Sequence, residues 1–151
     1  MSADSSFTIE LQQLSDYRFE VHFDHPAVPA LLTDEAAPLG SDAGPSPSRM
    51  LATAVANCLS ASLLFALRKF KNEPGSIRTL ATTTVARNES NRLRVKHIAV
   101  DIHLGRPGSE FAQLDRILAQ FEDFCVVTQS VRAAIPVDVR VFDSQATVLK
   151  S

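Results

Sequence analysis

Two cysteines are the residues of this 151-residue chain whose types and surroundings best suit chemistry. Cys58 lies in the middle of a long uncharged stretch, and Cys125 follows Asp123 and Phe124. A thiolate is a strong nucleophile, and thiols are oxidised reversibly, so two thiols that meet in the fold can form a redox pair. The alternative for each cysteine is that it serves only as a small buried hydrophobic residue.

The overall charge and the spacing of potential ligands argue against several functions. The chain carries a net charge of −2 at pH 7, so it lacks the basic field that a nucleic-acid-binding protein needs. No Cys-x-x-Cys, His-x-x-x-His or His-Glu-x-x-His spacing occurs, which is unfavourable for a metal site. We therefore expect no nucleic-acid partner, no metal and no cofactor.

The first residues bear on the cellular compartment. Residues 1–6 have neither a basic start nor an apolar run, so we expect no export signal and a cytoplasmic location. Permanent disulfides are rare in a reducing cytosol. If Cys58 and Cys125 are neighbours in the fold, a redox-active pair is therefore more probable than a structural crosslink.

Cys58 lies on a long predicted helix. Residues 50–67 contain no charged side chain, and their apolar residues occupy every face rather than one stripe, so we expect a central, buried helix. Ser46 can cap this helix, and Pro47 suits its first turn. A run of about 18 uncharged residues also meets the minimum for a membrane span. Polar residues interrupt this largely alanine run, however, so we predict no membrane partner.

Alternating and helical patterns predict the other elements of an α+β fold. The predicted strands cover residues 7–11, 17–23, 30–33, 77–85, 93–104 and 135–142, and the predicted later helices cover 110–121 and 125–132. The last residues have the pattern of a frayed end. The resulting order is β-β-β-α-β-β-α-α-β, in a single domain over residues 1–151.

Arg18 and two loop acids are further candidates for a role in chemistry. Arg18 lies on the polar face of the second predicted strand, so it either faces solvent or points toward another group. The loop over residues 24–45 is long, and such loops are often functional. Within it, Asp34 and Glu35 are adjacent acids, which we expect in a solvated turn.

The surroundings of Cys125 suggest an acidic thiol. Asp123 can cap the helix over residues 125–132, which sets Cys125 within its first turn. Free backbone N–H groups and the helix dipole favour a thiolate there. We therefore expect Cys125 to ionise readily.

Two motifs resemble the OsmC/Ohr family of small thiol peroxidases, and the resemblance covers roughly residues 17 to 142. The first is the run Gly44-Pro45-Ser46-Pro47, followed by Cys58 with Asn57 before it. The second is Cys125-Val126-Val127-Thr128-Gln129, which is similar to the family's Cys-Pro-Val-Ser-Gln motif. The predicted element order also matches the family, whose members are intertwined homodimers with active sites at the subunit interface.

The resemblance implies a role for each candidate residue. Cys58 corresponds to the peroxidatic thiol, Cys125 to the resolving thiol, and Arg18 is the candidate cation beside the reacting thiolate. The family's peroxidases carry a glutamate directly after the proline that begins the central helix, where it pairs with the arginine. Here that position is Ser48, so Asp34 or Glu35 would have to replace the glutamate.

The resemblance and the aromatic residues together suggest a substrate. Three phenylalanines could line a mouth around the cysteines, namely Phe65, Phe121 and Phe124, and such a wall would favour organic hydroperoxides. We therefore expect a homodimeric peroxidase that uses an unidentified thiol reductant. Two alternatives stay open: a non-catalytic dimer that binds an apolar ligand or senses oxidant, and a different enzyme or a structural protein in which both cysteines are inert.

Overall fold

The computed structural model describes residues 4–151 and has the expected α+β composition. Its contacts group into two compact units, one extending to Met50 and the other running from Leu51 to Ser151. Each unit holds one β-sheet, of three strands in the first and four in the second. The prediction of a single domain stays a prediction.

The first unit contains a three-stranded antiparallel sheet. Its strands, in sheet order, are β1 (Glu10–Ser15), β2 (Arg18–His22) and β3 (Leu31–Thr33). The first strand lies three residues later than the predicted 7–11, because both faces of β1 are exposed in this chain and no burial pattern marks its bounds.

The helix α1 spans Pro47–Lys69, as predicted, with proline at its first residue and Ser46 before it. Proline is favoured there because the first N–H groups of a helix have no partner within it. The backbone carbonyl of Ser46 accepts the Met50 N–H at 2.9 Å, and its hydroxyl accepts a hydrogen bond from the Arg49 guanidinium at 3.2 Å.

The expectation that α1 is surrounded on most sides is wrong for the single chain. One stripe is fully buried, made of Val55, Leu59, Leu63 and Leu67. The side chains on the opposite face are exposed, because one chain supplies a core on one side of the helix only. By length and a mean hydropathy of 1.9, α1 could also cross a membrane, a property that the core helix of a soluble protein can share.

The second unit contains a sheet with both parallel and antiparallel pairs, whose strands lie side by side in the order in which they occur in the chain. These are β4 (Ile77–Arg87), β5 (Leu93–Leu104), β6 (Val137–Phe142) and β7 (Val148–Lys150). Strands β5 and β6 are parallel, and the other two pairs are antiparallel. One face of β5 and β6 joins the α1 stripe in the core, with Ile98, Val100, Ile102, Val139 and Val141 buried.

The opposite face of this sheet is polar and carries the two histidines of β5. His97 lies 2.6 Å from the Asp138 carboxylate, and the His103 ring stacks on Phe142 with centroids 4.7 Å apart. Both histidines are thus strand-surface residues with neighbours on β6.

Two short helices follow β5. The first, α2, covers Leu114–Gln120, which is shorter than the predicted 110–121 because Gln113 adopts a left-handed conformation with φ of 57°. A 3₁₀ turn over Phe121–Phe124 then leads to α3 (Val126–Arg132), close to its predicted bounds.

The expected frayed end is also wrong, because β7 pairs with β6. Asp143 organises the connection between these strands. Its buried carboxylate accepts the N–H groups of Gly108, Gln145 and Thr147 at 2.9 Å each. Of these three hydrogen bonds, only the one from Gly108 is long-range, and that contact leaves no local signature in the last residues of the sequence.

Candidate active site

The structure brings the two cysteines together, although they belong to separate elements of the fold. Cys58 is in the middle of α1, and Cys125 directly precedes α3. The two thiols are close enough for Cys58 to raise the pKa of Cys125, and both are free. Cys58 is partly exposed, whereas Cys125 is fully buried in the core. The fold therefore places a reachable thiol beside a shielded one.

The thiol of Cys125 is less acidic than the sequence suggests. It donates a hydrogen bond to the hydroxyl of Thr128 at 3.0 Å. Burial raises the pKa of Cys125, and the neighbouring Cys58 thiol raises it further, whereas hydrogen bonds with the hydroxyl and the N–H of Thr128 only partly offset this rise. The expectation that Cys125 ionises readily is wrong, because burial outweighs its place at the start of a helix.

Two of the three phenylalanines predicted to line a mouth are exposed, and the third is buried. Phe124 is 73% exposed next to Cys125, and Phe65 is 71% exposed on α1. Phe121, in contrast, is fully buried in the core, with the Lys150 ammonium over its ring at 5.1 Å. Phe121 is therefore a packing residue that cannot contact a substrate. Val126, on the other side of Cys125, is an exposed apolar residue that the prediction did not include.

Arg18 has its contacts within the first unit. Its guanidinium donates two hydrogen bonds to the Ser41 hydroxyl, from Nε at 3.2 Å and from a terminal nitrogen at 2.8 Å. Its Nε also lies 3.7 Å from the Asp34 carboxylate, in an ion pair between a side chain that is 44% exposed and one that is buried. Of the two acids considered, the structure thus pairs Asp34 with Arg18.

The expectation that Asp34 lies in a solvated turn is wrong. Its carboxylate accepts hydrogen bonds from the N–H groups of Glu35, Ser41 and Ala43, and from the Ser41 hydroxyl, at 2.8 to 3.1 Å. Burial alone would raise the pKa of Asp34, but these hydrogen bonds outweigh it and lower the pKa to about 2. The group is therefore an anion at neutral pH.

Close backbone approaches fix the loop that surrounds Asp34. A Cβ on Gly40 would lie 2.2 Å from the Glu35 carbonyl oxygen, and a Cβ on Gly44 would lie equally close to the Leu32 carbonyl oxygen. Only glycine fits at these two positions. The loop borders a cavity of about 320 Å³ lined by Ser15, Asp16, Tyr17, Arg18, Asp34, Leu39, Gly40 and Ser41.

Sequence reasoning missed several residues around these side chains. Thr128 lies three residues after Cys125, which is the spacing of a capping residue and its partner, so this contact had a readable signal. Ser41 had none, because its link to Arg18 depends on how the loop folds. Among residues 4–151, no group of three or more His, Cys, Asp or Glu side chains is placed to hold a metal ion.

Comparisons with known proteins show the family to which this chain belongs. The family model described as "OsmC-like protein" matches residues 40–140, which is more than half of the chain. Among curated proteins, none matches this chain.

Solved structures with the same fold cover almost the whole chain. An OsmC-like protein of unknown function from Vibrio cholerae has a TM-score of 0.77 at 14% identity, with 92% of this chain and 100% of that chain covered. An organic hydroperoxide resistance protein from Elizabethkingia anophelis has a TM-score of 0.71 at 15% identity, covering 93% and 98%. The protein OhrB of Bacillus subtilis, also named for organic hydroperoxide resistance, has a TM-score of 0.66 at 13% identity, covering 91% and 98%. This chain belongs to the OsmC-like protein family.

Proposed function

We propose that this protein is a thiol peroxidase that reduces organic hydroperoxides through Cys58 and Cys125. The observation that carries the proposal is the proximity of the two thiols, which are far apart in the sequence, one within α1 and the other directly before α3. Disulfide formation requires sulfur atoms that can approach to about 2.05 Å. Two neighbouring free thiols are suited to meet this requirement.

The proposed cycle has three balanced steps. The Cys58 thiolate attacks one oxygen of the hydroperoxide, the O–O bond breaks, and the departing alkoxide takes up a proton to leave as an alcohol. The resulting Cys58 sulfenic acid condenses with the Cys125 thiol, forming an S–S bond and releasing water. An external dithiol then reduces the disulfide, is itself oxidised to a disulfide, and restores both thiols.

Burial supports this division of roles between the cysteines. Cys58 is partly exposed, so a peroxide can reach it, whereas Cys125 is fully buried. The raised pKa of Cys125 keeps its thiol protonated at neutral pH, and a thiol is a far weaker nucleophile than a thiolate. Cys125 is therefore suited to the second step, in which the sulfenic acid is already beside it.

Arg18 is proposed as the cation that favours the reacting thiolate, as the family resemblance implies. Its ion pair with Asp34 supports this role, because the family's glutamate is replaced by Ser48 in this chain. A buried carboxylate and the Ser41 hydroxyl can hold the guanidinium in one orientation.

A homodimer is part of the proposal. The first unit exposes large apolar side chains on and near its sheet, namely Phe7, Ile9, Leu11, Leu14 and Tyr17, and α1 exposes Phe65. Exposed apolar surface of this extent is unfavourable in water and is typical of an interface. We assign it to a second copy of the chain in the cytoplasm.

Peroxide consumption by cysteine variants tests the function. With dithiothreitol as reductant, the wild-type protein should consume cumene hydroperoxide, and Cys58→Ser should consume none. Cys125→Ser should undergo one oxidation and then stall or over-oxidise, because its sulfenic acid has no resolving partner.

Two other results would contradict the proposal. If Cys125→Ser cannot react even once while Cys58→Ser can, the roles of the cysteines are exchanged. If the wild-type protein forms the disulfide without consuming more than one equivalent of peroxide, the oxidant-sensing alternative is favoured.

A further inference from the structure

A carboxylate three residues before Cys125 binds two cations that are distant from it in the sequence. One Glu122 oxygen lies 2.5 Å from the Arg132 guanidinium, at the end of α3, and the other lies 2.5 Å from the Lys150 ammonium, on β7. The Glu122 side chain is only 14% exposed, and both partners are less than a third exposed. Charge pairs shielded from water in this way are screened less than surface pairs.

Backbone hydrogen bonds connect this cluster directly to Cys125. The carbonyl oxygen of Glu122 accepts the Cys125 N–H at 3.1 Å and the side-chain amide of Gln129 at 3.0 Å. The Gln129 N–H in turn donates to the Cys125 carbonyl at 2.9 Å. A displacement of Glu122 would therefore move the backbone that carries the Cys125 thiol.

The side chains of Lys150 and Arg132 link the turn that carries Glu122 to the sheet. Lys150 also donates to the Leu118 carbonyl at 2.7 Å, and Arg132 donates to the Val137 carbonyl at 2.8 and 3.1 Å. Burial would raise the pKa of Glu122, but hydrogen bonds and charge from Lys150 and Arg132 outweigh it, so the pKa is lowered. Glu122 is therefore an anion at neutral pH, and both pairs are ionic.

We infer that Glu122, Arg132 and Lys150 are positioning residues that hold the Cys125 thiol for condensation with the Cys58 sulfenic acid. This inference rests on the proposed function. In the condensation an S–S bond forms, the S–O bond breaks, and the Cys125 proton leaves with the hydroxyl group as water.

Geometry explains why such a cluster affects the outcome of the cycle. The new bond requires a particular S–S distance and dihedral angle, and Cys125 is too buried to find them by free rotation in solvent. A loosened turn slows closure, so the sulfenic acid lives longer. A second peroxide then converts it to sulfinic acid, which the disulfide step cannot recover. Strand β7, which carries Lys150, thereby affects how often peroxide over-oxidises Cys58.

The first test removes the charge of Lys150 and keeps most of the length of its side chain. In Lys150→Met, the fraction of Cys58 converted to sulfinic acid per turnover of cumene hydroperoxide should rise by up to about tenfold, since a misplacement near 1 Å has effects of this order or larger. The rate of the first oxidation of Cys58 should be unchanged. Intact-protein mass spectrometry measures the first quantity, and stopped-flow mixing measures the second.

Two variants distinguish positioning from general stabilisation. Lys150→Arg keeps the cation and should restore the wild-type fraction of sulfinic acid. Arg106→Met breaks an exposed ion pair with Glu110 and should leave that fraction unchanged. A Lys150→Met protein with a lower melting temperature but a wild-type fraction of sulfinic acid would show that the cluster is structural only, and would overturn the inference.

A second assay separates this inference from the proposed function. Oxidised glutathione reacts with the Cys58 thiolate to give a mixed disulfide and one reduced glutathione, and Cys125 then closes the internal disulfide, releasing the other. Closure should be slower in Lys150→Met than in the wild-type protein. Equal closure rates would overturn the positioning role even for an active peroxidase, whereas slower closure without peroxide turnover would support it and refute the proposed function alone.

Discussion

Asp34 is a buried residue whose charged form is stabilised by the loop around it. Four hydrogen bonds and the Arg18 guanidinium surround its carboxylate, and its pKa of about 2 lies below the ordinary 3.8. A carboxyl group with a lowered pKa stabilises the fold above the unfolded-state value, and this stabilisation is lost as the pH falls from 3.8 toward 2.

We therefore predict that Asp34→Asn lowers the melting temperature at neutral pH. The N–H groups of Ser41 and Ala43 donate to the same carboxylate oxygen, and an amide NH₂ in its place is itself a donor, so these two hydrogen bonds would be lost. The difference from the wild-type protein should shrink below about pH 3, where the wild-type carboxyl also becomes protonated. Thermal unfolding followed by circular dichroism at both pH values measures this. Asp16→Asn, at an exposed turn of the same unit, is the control, and equal melting temperatures for Asp34→Asn and wild type would contradict the prediction.

The residues around Cys125 show which parts of the site a sequence can reveal. The spacing of Cys125 and Thr128 suggests a local contact, because it depends only on helix geometry. The acidity of the thiol depends on burial, and burial depends on how α3 packs against β6. The pairing of Arg18 with Asp34 likewise depends on the fold of a loop, so the sequence could offer Asp34 and Glu35 only as alternatives.

At the scale of elements, α1 is held in the core by a single stripe of side chains. Leu63 is fully buried in this stripe, one turn beyond Leu59 and the neighbouring Cys58. Truncation of a buried leucine removes its transfer free energy and leaves a cavity.

We predict that Leu63→Ala lowers the free energy of unfolding by about 2–5 kcal/mol. Lys69→Ala, at the exposed end of the same helix, should change it by less than about 0.5 kcal/mol. Urea denaturation of all three proteins at one protein concentration measures the differences. A loss below about 1 kcal/mol for Leu63→Ala would show that the stripe does not anchor the helix.

Elements with a strong pattern were predictable, and those defined by distant contacts were not. Helix α1 has a long uncharged run after a proline, and strands β4 and β5 have β-branched residues in alternation, so their signals are local. Strand β1 has no buried face in one chain, and the three-residue β7 depends on the turn that Asp143 organises. The prediction therefore displaced β1 and missed β7.

At the scale of the whole molecule, the exposed apolar side chains predict a dimer. Light scattering at micromolar concentration should give a mass near twice the chain mass of 16.4 kDa. Leu11→Lys should weaken the dimer, because it places a charge on an apolar position of β1, whereas Gln12→Lys alters a position that is already polar and should have a smaller effect. A monomeric wild-type protein would contradict both the prediction and the assignment of the exposed surface.

Substrate preference is also a property of the whole molecule, since it depends on the surface that surrounds the cysteine pair. Phe124 is 73% exposed directly before the buried Cys125, so its ring is accessible to an apolar molecule, and under the proposed function this molecule is the hydroperoxide. Each methylene buried against such a surface contributes about 0.8 kcal/mol. Two of them are enough for a preference of about tenfold over hydrogen peroxide, which has no apolar group.

We predict that the second-order rate constant for cumene hydroperoxide exceeds that for hydrogen peroxide, and that their ratio falls in Phe124→Ala. Phe121→Leu is the matched control, because the buried Phe121 should affect stability and leave the ratio unchanged. Stopped-flow measurements with both oxidants give the ratio for each protein. Equal rate constants in the wild-type protein would show that the aromatic surface does not select the substrate, and would favour an oxidant sensor over an organic hydroperoxide reductase.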